Sequence, residues 1–368
     1  MPGKKWTVLL AASVAAIALG SIGNAEAGGT KLKQIGTMSN PAGPIDNFDI
    51  SFVDQSTQRL YFADRSNKSV DVFDVKTDKF LGSTPGFVGV TMKNGKPDND
   101  TSGPDGVVVV GNQVWAGDGD STIKIIDIKS MKVVDTINTG GKTRVDEMAY
   151  DPKDHVFIGV NNAEDPPFAT LISTSKGHKV IAKVTFENAT DGAEQPAYNP
   201  ANGMFYVSIP ELDKDAKKNG VAVINPKTGK LVKIIPVQNC HPNGIAFGPG
   251  GNFALGCTAN GKEGMPAIIT VMNYKTEKVV KEVPEIGAAD MVAYNSKSGQ
   301  YYTGSRAMPE GPVLGIIDAK TNTLVDKVAI KGGNPHSVAT SNANGHVYMP
   351  AGSANGGCGC IMVFAPAK

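Results

Sequence analysis

Six short stretches of this chain repeat one pattern, and their spacing restricts the fold more than any other feature. Val70–Thr77, Ile123–Ser130, Ala169–Lys176, Val221–Thr228, Ile269–Thr276 and Gly315–Thr321 each run as an alternating apolar strand into a polar turn. A second strand follows, as at Leu231–Val237 and Leu324–Ile330. The turn-starting residues Asp74, Asp127, Ser173, Asn225, Asn273 and Asp318 are 53, 46, 52, 48 and 45 positions apart. Such side chains start turns because they accept hydrogen bonds from the backbone two residues on. A period of this size built from strands alone predicts an all-β protein of the β-propeller kind, each blade packing on its neighbours.

A second pattern precedes the first in each unit: an inner strand, a turn and a paired strand. The inner segments are Asp49–Asp54, Asp105–Val110, Asp146–Asp151, Glu194–Asn199, Asn243–Gly248, Asp290–Asn295 and His336–Ser341. Small and β-branched residues dominate them, as a crowded hub requires, and aromatic residues recur in the paired strands where blades meet. Seven inner pairs stand against six complete outer pairs. The seventh outer pair has a third strand at Ile361–Phe364, and Leu32–Thr37 has the character to supply its fourth. The expectation is a seven-bladed propeller of four-stranded antiparallel blades. Pairing of the N- and C-terminal strands would close it and remove exposed edges.

Lys4 and Lys5 precede an apolar run from Val8 to Leu19, and Ala25-Glu26-Ala27 follows as a small-x-small cleavage pattern. This predicts a secretory signal peptide over residues 1–27 and a single propeller domain over 28–368, exported to a periplasm or secreted. No later apolar stretch is long enough for a membrane helix. The formal charge of +1 falls to about zero without the leader, and no basic patch points to nucleic acid.

The stretches Ile316–Ala339 and Val223–Ala246 resemble repeats of the YVTN-type (YncE-like) propellers. Ser173 and Gly248 depart from the family's polar turn residues. The resemblance extends over the chain beyond the leader. It implies a secreted or periplasmic propeller, often a binding or scaffold protein, with no shared catalytic motif. No G-x-S-x-G, H-E-x-x-H or P-loop occurs.

The long loops gather at one face, among them Ala163–Phe168, Pro210–Gly220, Ala259–Pro266, Ala307–Pro312, Ala351–Cys358 and the insertion Ser83–Pro104. Loop investment marks that face as functional. There the first residues of the inner segments, Asp49, Asp105, Asp146, Glu194, Asn243, Asp290 and His336, should point into a central funnel. Five are carboxylates, and like charges at close quarters demand protonation, hydration or a counter-cation. Asp49, Asp105, Asp146, Glu194, Asn243 and Asp290 are therefore candidate ligands of one divalent cation, Ca²⁺ or Mg²⁺. Arg65, Arg144 and Arg306, three of only four arginines, map to the same face and suit an anionic ligand, or else pair with funnel carboxylates.

Cys240, Cys257, Cys358 and Cys360 should be disulfide-bonded in an oxidising compartment, with three connectivities open. Two functions follow. One is a monomeric periplasmic propeller binding a small anionic molecule or a partner protein on its loop-rich face. The other is a metal-dependent hydrolase, lactonase or lyase with a cation in the funnel, and with His336 or His241 as general base.

Overall fold

Each repeat folds into its own antiparallel sheet because its turns are chemically specified. The Asp74 carboxylate accepts from the N–H groups of Lys76 (2.8 Å) and Thr77 (2.9 Å), and Asp318 does the same for Lys320 and Thr321. Asn225 and Asn273 repeat the arrangement. Four positions after each of these starters the chain takes a left-handed φ, at Asp78 (53°), Gly229 (63°), Glu277 (58°) and Asn322 (55°). A turn of this kind ending in a left-handed residue reverses a strand within a few positions. In blade 3, Ser173 starts the turn, and Gly177 (91°), four positions on, and His178 (37°) both take positive φ.

The computed structural model describes residues 1–3, 29–175, 177–259 and 264–367. Residues 4–28, which hold most of the expected signal peptide, and part of the loop Ala259–Pro266 lie outside the described residues. Seven four-stranded sheets form. Blade 1 runs Ser51–Asp54, Arg59–Asp64, Ser69–Asp74 and Lys79–Pro85. The next five begin with inner strands Val107–Val110, Met148–Asp151, Pro196–Asn199, Pro242–Phe247 and Ala289–Asn295. Blade 7 has Ala339–Thr340, Val347–Ala351 and Cys360–Pro366, and its fourth strand is Leu32–Met38 from the N-terminal side. That strand pairs antiparallel from Leu32↔Pro366 to Met38↔Ile361. Neighbouring inner strands touch in cyclic order, blade 7 against blade 1 included. The fold is thus the seven-bladed propeller expected from the repeats, closed by its two terminal strands.

The core lies in the seams between blades. Tyr61, Trp115, Tyr206, Tyr301, Tyr302 and Tyr348, all on second strands, are fully buried. Trp115 packs on Phe157 of the next blade at 4.7 Å between ring centroids. Among the described residues no helix is long and apolar enough to cross a membrane.

The cysteines pair as Cys240–Cys257 and Cys358–Cys360, which decides among the three connectivities. Cys240–Cys257 ties the segment leading into blade 5 to the end of that blade's second strand, and both residues are fully buried. The bond closes a 17-residue span. Loop-closure entropy puts its contribution at about 3 kcal/mol. The double substitution Cys240→Ala/Cys257→Ala is expected to lower the free energy of unfolding by about that amount, measured by urea titration under non-reducing conditions.

Candidate functional site

Every inner strand of blades 1–6 is reached through a β-bulge, and the bulges build the site. In blade 1 the Asp49 N–H donates to Ala63 C=O (3.0 Å), while the Ala63 N–H donates to Ile50 C=O (3.0 Å). Two residues of one strand thus oppose one of the other. Asp105 and Gly106 oppose Gly117 in the same way, Asp146 and Glu147 oppose Val160, and Glu194 and Gln195 oppose Ser208. In blades 5 and 6 the register slips between Pro242 and Ile245 and between Ala289 and Val292. A bulge breaks the in-out alternation and re-aims side chains. Gly106 and Gly244 occupy the second bulge position where the next blade comes closest: a Cβ on Gly106 would lie 2.2 Å from the Asp146 carbonyl oxygen.

The re-aimed side chains line a polar funnel of about 120 Å³ at the loop-rich face. Asp49, Asp146, Glu194, Asn243, Asp290, His336, Arg65, Arg144 and Arg306 all border it. Asp105 lies beneath, fully buried. Three further residues border it that the repeats did not reveal: Glu147, Asn99 and Asn334.

Arg65 is buried and has every nitrogen engaged. Its Nη2 donates to both Asp49 and Asp105, Nη1 to Asn99 Oδ1 (3.3 Å) and Nε to the Pro104 carbonyl (3.3 Å). Arg144 donates to Asp49 (3.3 Å) and Asn162 (3.2 Å) and forms an ion pair with Asp146 (2.8 Å). Against its burial, Arg65, His336 and Arg144 hold the Asp49 carboxyl well below the usual carboxylate range. Oxygens of Asp49, Asp105 and Asp146 lie within 4.8 Å of one another, a spacing that could suit a metal ion. Two guanidinium groups already bind these carboxylates, so a divalent ion there would sit against two permanent cations.

Arg306 differs. Its side chain is 37% exposed, and its Nη1 meets Asp290 (3.0 Å) and Asn334 (3.3 Å). Its Nη2 and Nε have no hydrogen-bond partner among the described residues. The anion-binding capacity expected of the three arginines therefore narrows to Arg306.

The side of the funnel away from Arg65 is rich in acceptors. Burial, then the Asp146 and Asp290 carboxylates, push Glu194 up to about 8. Burial pushes Asp146 up to about 7 although Arg144 opposes it. Glu147, 5% exposed, is held well above the usual range by burial and by Asp146, Glu194, Asp290 and Asp49 around it.

The two histidines are not brought together. His336 stacks on Phe48 at 5.1 Å, its Nδ1 faces the Asn334 carbonyl (2.7 Å) and its Nε2 faces Asp49 (3.1 Å). Both ring nitrogens thus face oxygen acceptors. His241 lies outside the funnel lining. Its Nε2 is 3.1 Å from Asp191 but out of hydrogen-bonding line, and burial lowers its pKa.

Further along the inner strands, toward the opposite face, the channel widens into a second cavity of about 320 Å³. Ile50, Phe52, Val109, Met148, Tyr150, Tyr198 and Met291 wall it, and Glu147 borders it as well as the funnel.

No protein-family model matches the chain, and no curated protein matches it in sequence. Among solved structures, a chain of hydrazine synthase from Kuenenia stuttgartiensis superposes with a TM-score of 0.69 at 15% identity. The match covers 90% of this chain and 97% of that one. At that identity the likeness concerns the fold alone.

Two outcomes follow from the funnel's electrostatics. Arg65→Ala removes the cation shared by Asp49 and Asp105, leaving Arg144 at 3.3 and 3.7 Å, and should cost up to about 3–5 kcal/mol of stability in denaturant unfolding. The second outcome concerns pH. Asp146 and Glu194 have ordinary values of 3.8 and 4.5 and titrate in the folded chain near 7 and 8. Above pH 4.5 the unfolded chain releases these protons and the folded chain keeps them. Their contribution is thus fully present in acid and is lost as pH rises toward 8. Glu194→Gln, which mimics the protonated form, should stabilise the protein at pH 8 by on the order of 1 kcal/mol and leave pH 4 unchanged, read as melting temperature against pH.

Proposed function

We propose that this propeller is an exported binding protein whose funnel holds a small ligand bearing an ammonium group. The observation that carries this reading is the inventory of unengaged groups. Six carboxyls, Asp49, Asp105, Asp146, Glu147, Glu194 and Asp290, meet three arginines in and beneath the funnel. Two of those arginines have their nitrogens engaged, whereas Asp105 Oδ2 is buried without a partner, and the Glu147 and Glu194 carboxyls border the funnel with no side-chain hydrogen bond or ion pair among the described residues. What Glu147 and Glu194 lack, among the described residues, is a bonded donor carrying positive charge. An ammonium group offers three donors and one charge in the required volume. Arg306, with its free edge, would receive an anionic group on the same molecule.

Export is supported by the leader-like N-terminal sequence and by the pairing of all four cysteines. The YVTN-type resemblance fits a secreted binding propeller. A metal-dependent hydrolase draws less support, since guanidinium groups bind the one carboxylate cluster with metal-like spacing among the described residues.

Titration calorimetry with methylamine at pH 7 is expected to give saturable binding. The pair of substitutions Asp146→Asn and Glu194→Gln should weaken it at least tenfold, the loss of about 1.4 kcal/mol or more. Absence of methylamine binding, together with one divalent metal retained per chain by mass spectrometry, would displace this reading in favour of the hydrolase.

A further inference from the structure

The apolar cavity beneath the funnel extends the ammonium site and defines the class of its ligand. Its walls are hydrocarbon and aromatic: Phe52, Val109, Met148, Tyr150, Tyr198 and Met291. Of the Asp, Glu, Lys, Arg and His side chains, Glu147 alone borders it. Glu147 stands at the neck, 5% exposed, facing both the cavity and the funnel, with no hydrogen-bond or ion-pair partner among the described residues. Gln195, beside it, has its amide oxygen engaged by the Ile245 N–H at 2.7 Å. A buried carboxyl without a partner is costly, and nothing in the strand pairing requires one at this position. A cation placed there would face Asp146, Glu194, Asp290 and Asp49 as well.

We propose that the ligand is a primary amine with an alkyl or aryl body, its ammonium group on Glu147 at the neck and its body in the apolar cavity. This rests on the ammonium reading of the funnel and adds the body to it. The cavity, at about 320 Å³, exceeds the ~150 Å³ that holds benzene in an apolar protein interior, so a body of about six carbons or more is accommodated. The apolar walls favour such a body over water, and the neck supplies the single polar anchor that fixes its direction. The head group selects for charge and the cavity selects for length.

The test is a calorimetric titration of the full purified chain at pH 7 with methylamine, propylamine, hexylamine and hexan-1-ol. Affinity should rise about fourfold for each methylene buried. Hexan-1-ol should bind at least tenfold more weakly than hexylamine. Met148→Trp, which fills the cavity, should remove the dependence on chain length. Glu147→Gln should remove the preference for hexylamine over hexan-1-ol. If methylamine binds and longer amines bind no better, the cavity assignment is overturned and the funnel reading stands. If affinity rises with length but hexan-1-ol equals hexylamine, the assignment of the ammonium group to Glu147 is overturned. If no amine binds, both readings fall. The wild-type series decides these outcomes even where a variant does not fold.

Discussion

At the loop-rich end of the axis the Asp49 carboxylate accepts from Arg65, from Arg144 at 3.3 Å and from His336 at 3.1 Å. These partners come from the turn just after the second strand of blade 1, the approach to blade 3 and the approach to blade 7. Asp105 joins the same network from blade 2 through Arg65. The network spans the seam between blades 7 and 1, beside the blade in which the two terminal strands pair. Just below it, the Ser51 and Ser337 hydroxyls bond across the same seam at 2.9 Å. Seven strands converging on one axis crowd their first polar residues together. Guanidinium groups turn that repulsion into cross-blade attraction because a planar fork can serve two carboxylates at once.

The network is lopsided, and that asymmetry generates the site. The insertion after blade 1 supplies Asn99 Oδ1 and the Pro104 carbonyl to Arg65, and the Asp100 carbonyl accepts from the Arg144 N–H at 2.8 Å. Arginine is thereby anchored over blades 1–3. Among the described residues no side chain forms an ion pair with Glu147 or Glu194, so acceptors accumulate on that side. Deeper in the channel the polar lining gives way to Phe52, Met148 and Tyr150, and Glu147 marks the boundary.

How far the sequence could be read follows from which contacts are periodic. Blade number, the polar turn starters and the closing strand Leu32–Met38 were legible because each recurs at a fixed place in the repeat or fills a gap in it. The ring of Asp49, Asp146, Glu194, Asn243 and Asp290 was legible for the same reason. Glu147 was not. Strict alternation sends a residue next to Asp146 away from the channel, and a bulge, which leaves no mark in composition, brings it back. The engagement of Arg65 was equally hidden, because Asn99 and Pro104 lie more than 30 positions away in an aperiodic loop. The apolar cavity escaped notice because Phe52, Val109 and Tyr150 read as ordinary strand residues. Their role depends on the width of a ring of seven.

A repeat fold of this kind separates scaffold from chemistry. Turn chemistry and seam packing keep the blades nearly alike, and both tolerate wide changes in sequence. That is why a chain only 15% identical superposes over most of the propeller. The bulge positions carry no such constraint, since their side chains point into the channel rather than between blades. Residues there answer to one another and to what enters the channel. In this chain they divide into a cationic sector held by backbone from the insertion and an acidic sector in which Arg144 meets Asp146 and Arg306 meets Asp290, while Glu147 and Glu194 form no ion pair among the described residues. An unbalanced acidic sector is a standing cost to folding above neutral pH. The cationic ligand proposed above would offset that cost, which the fold alone does not.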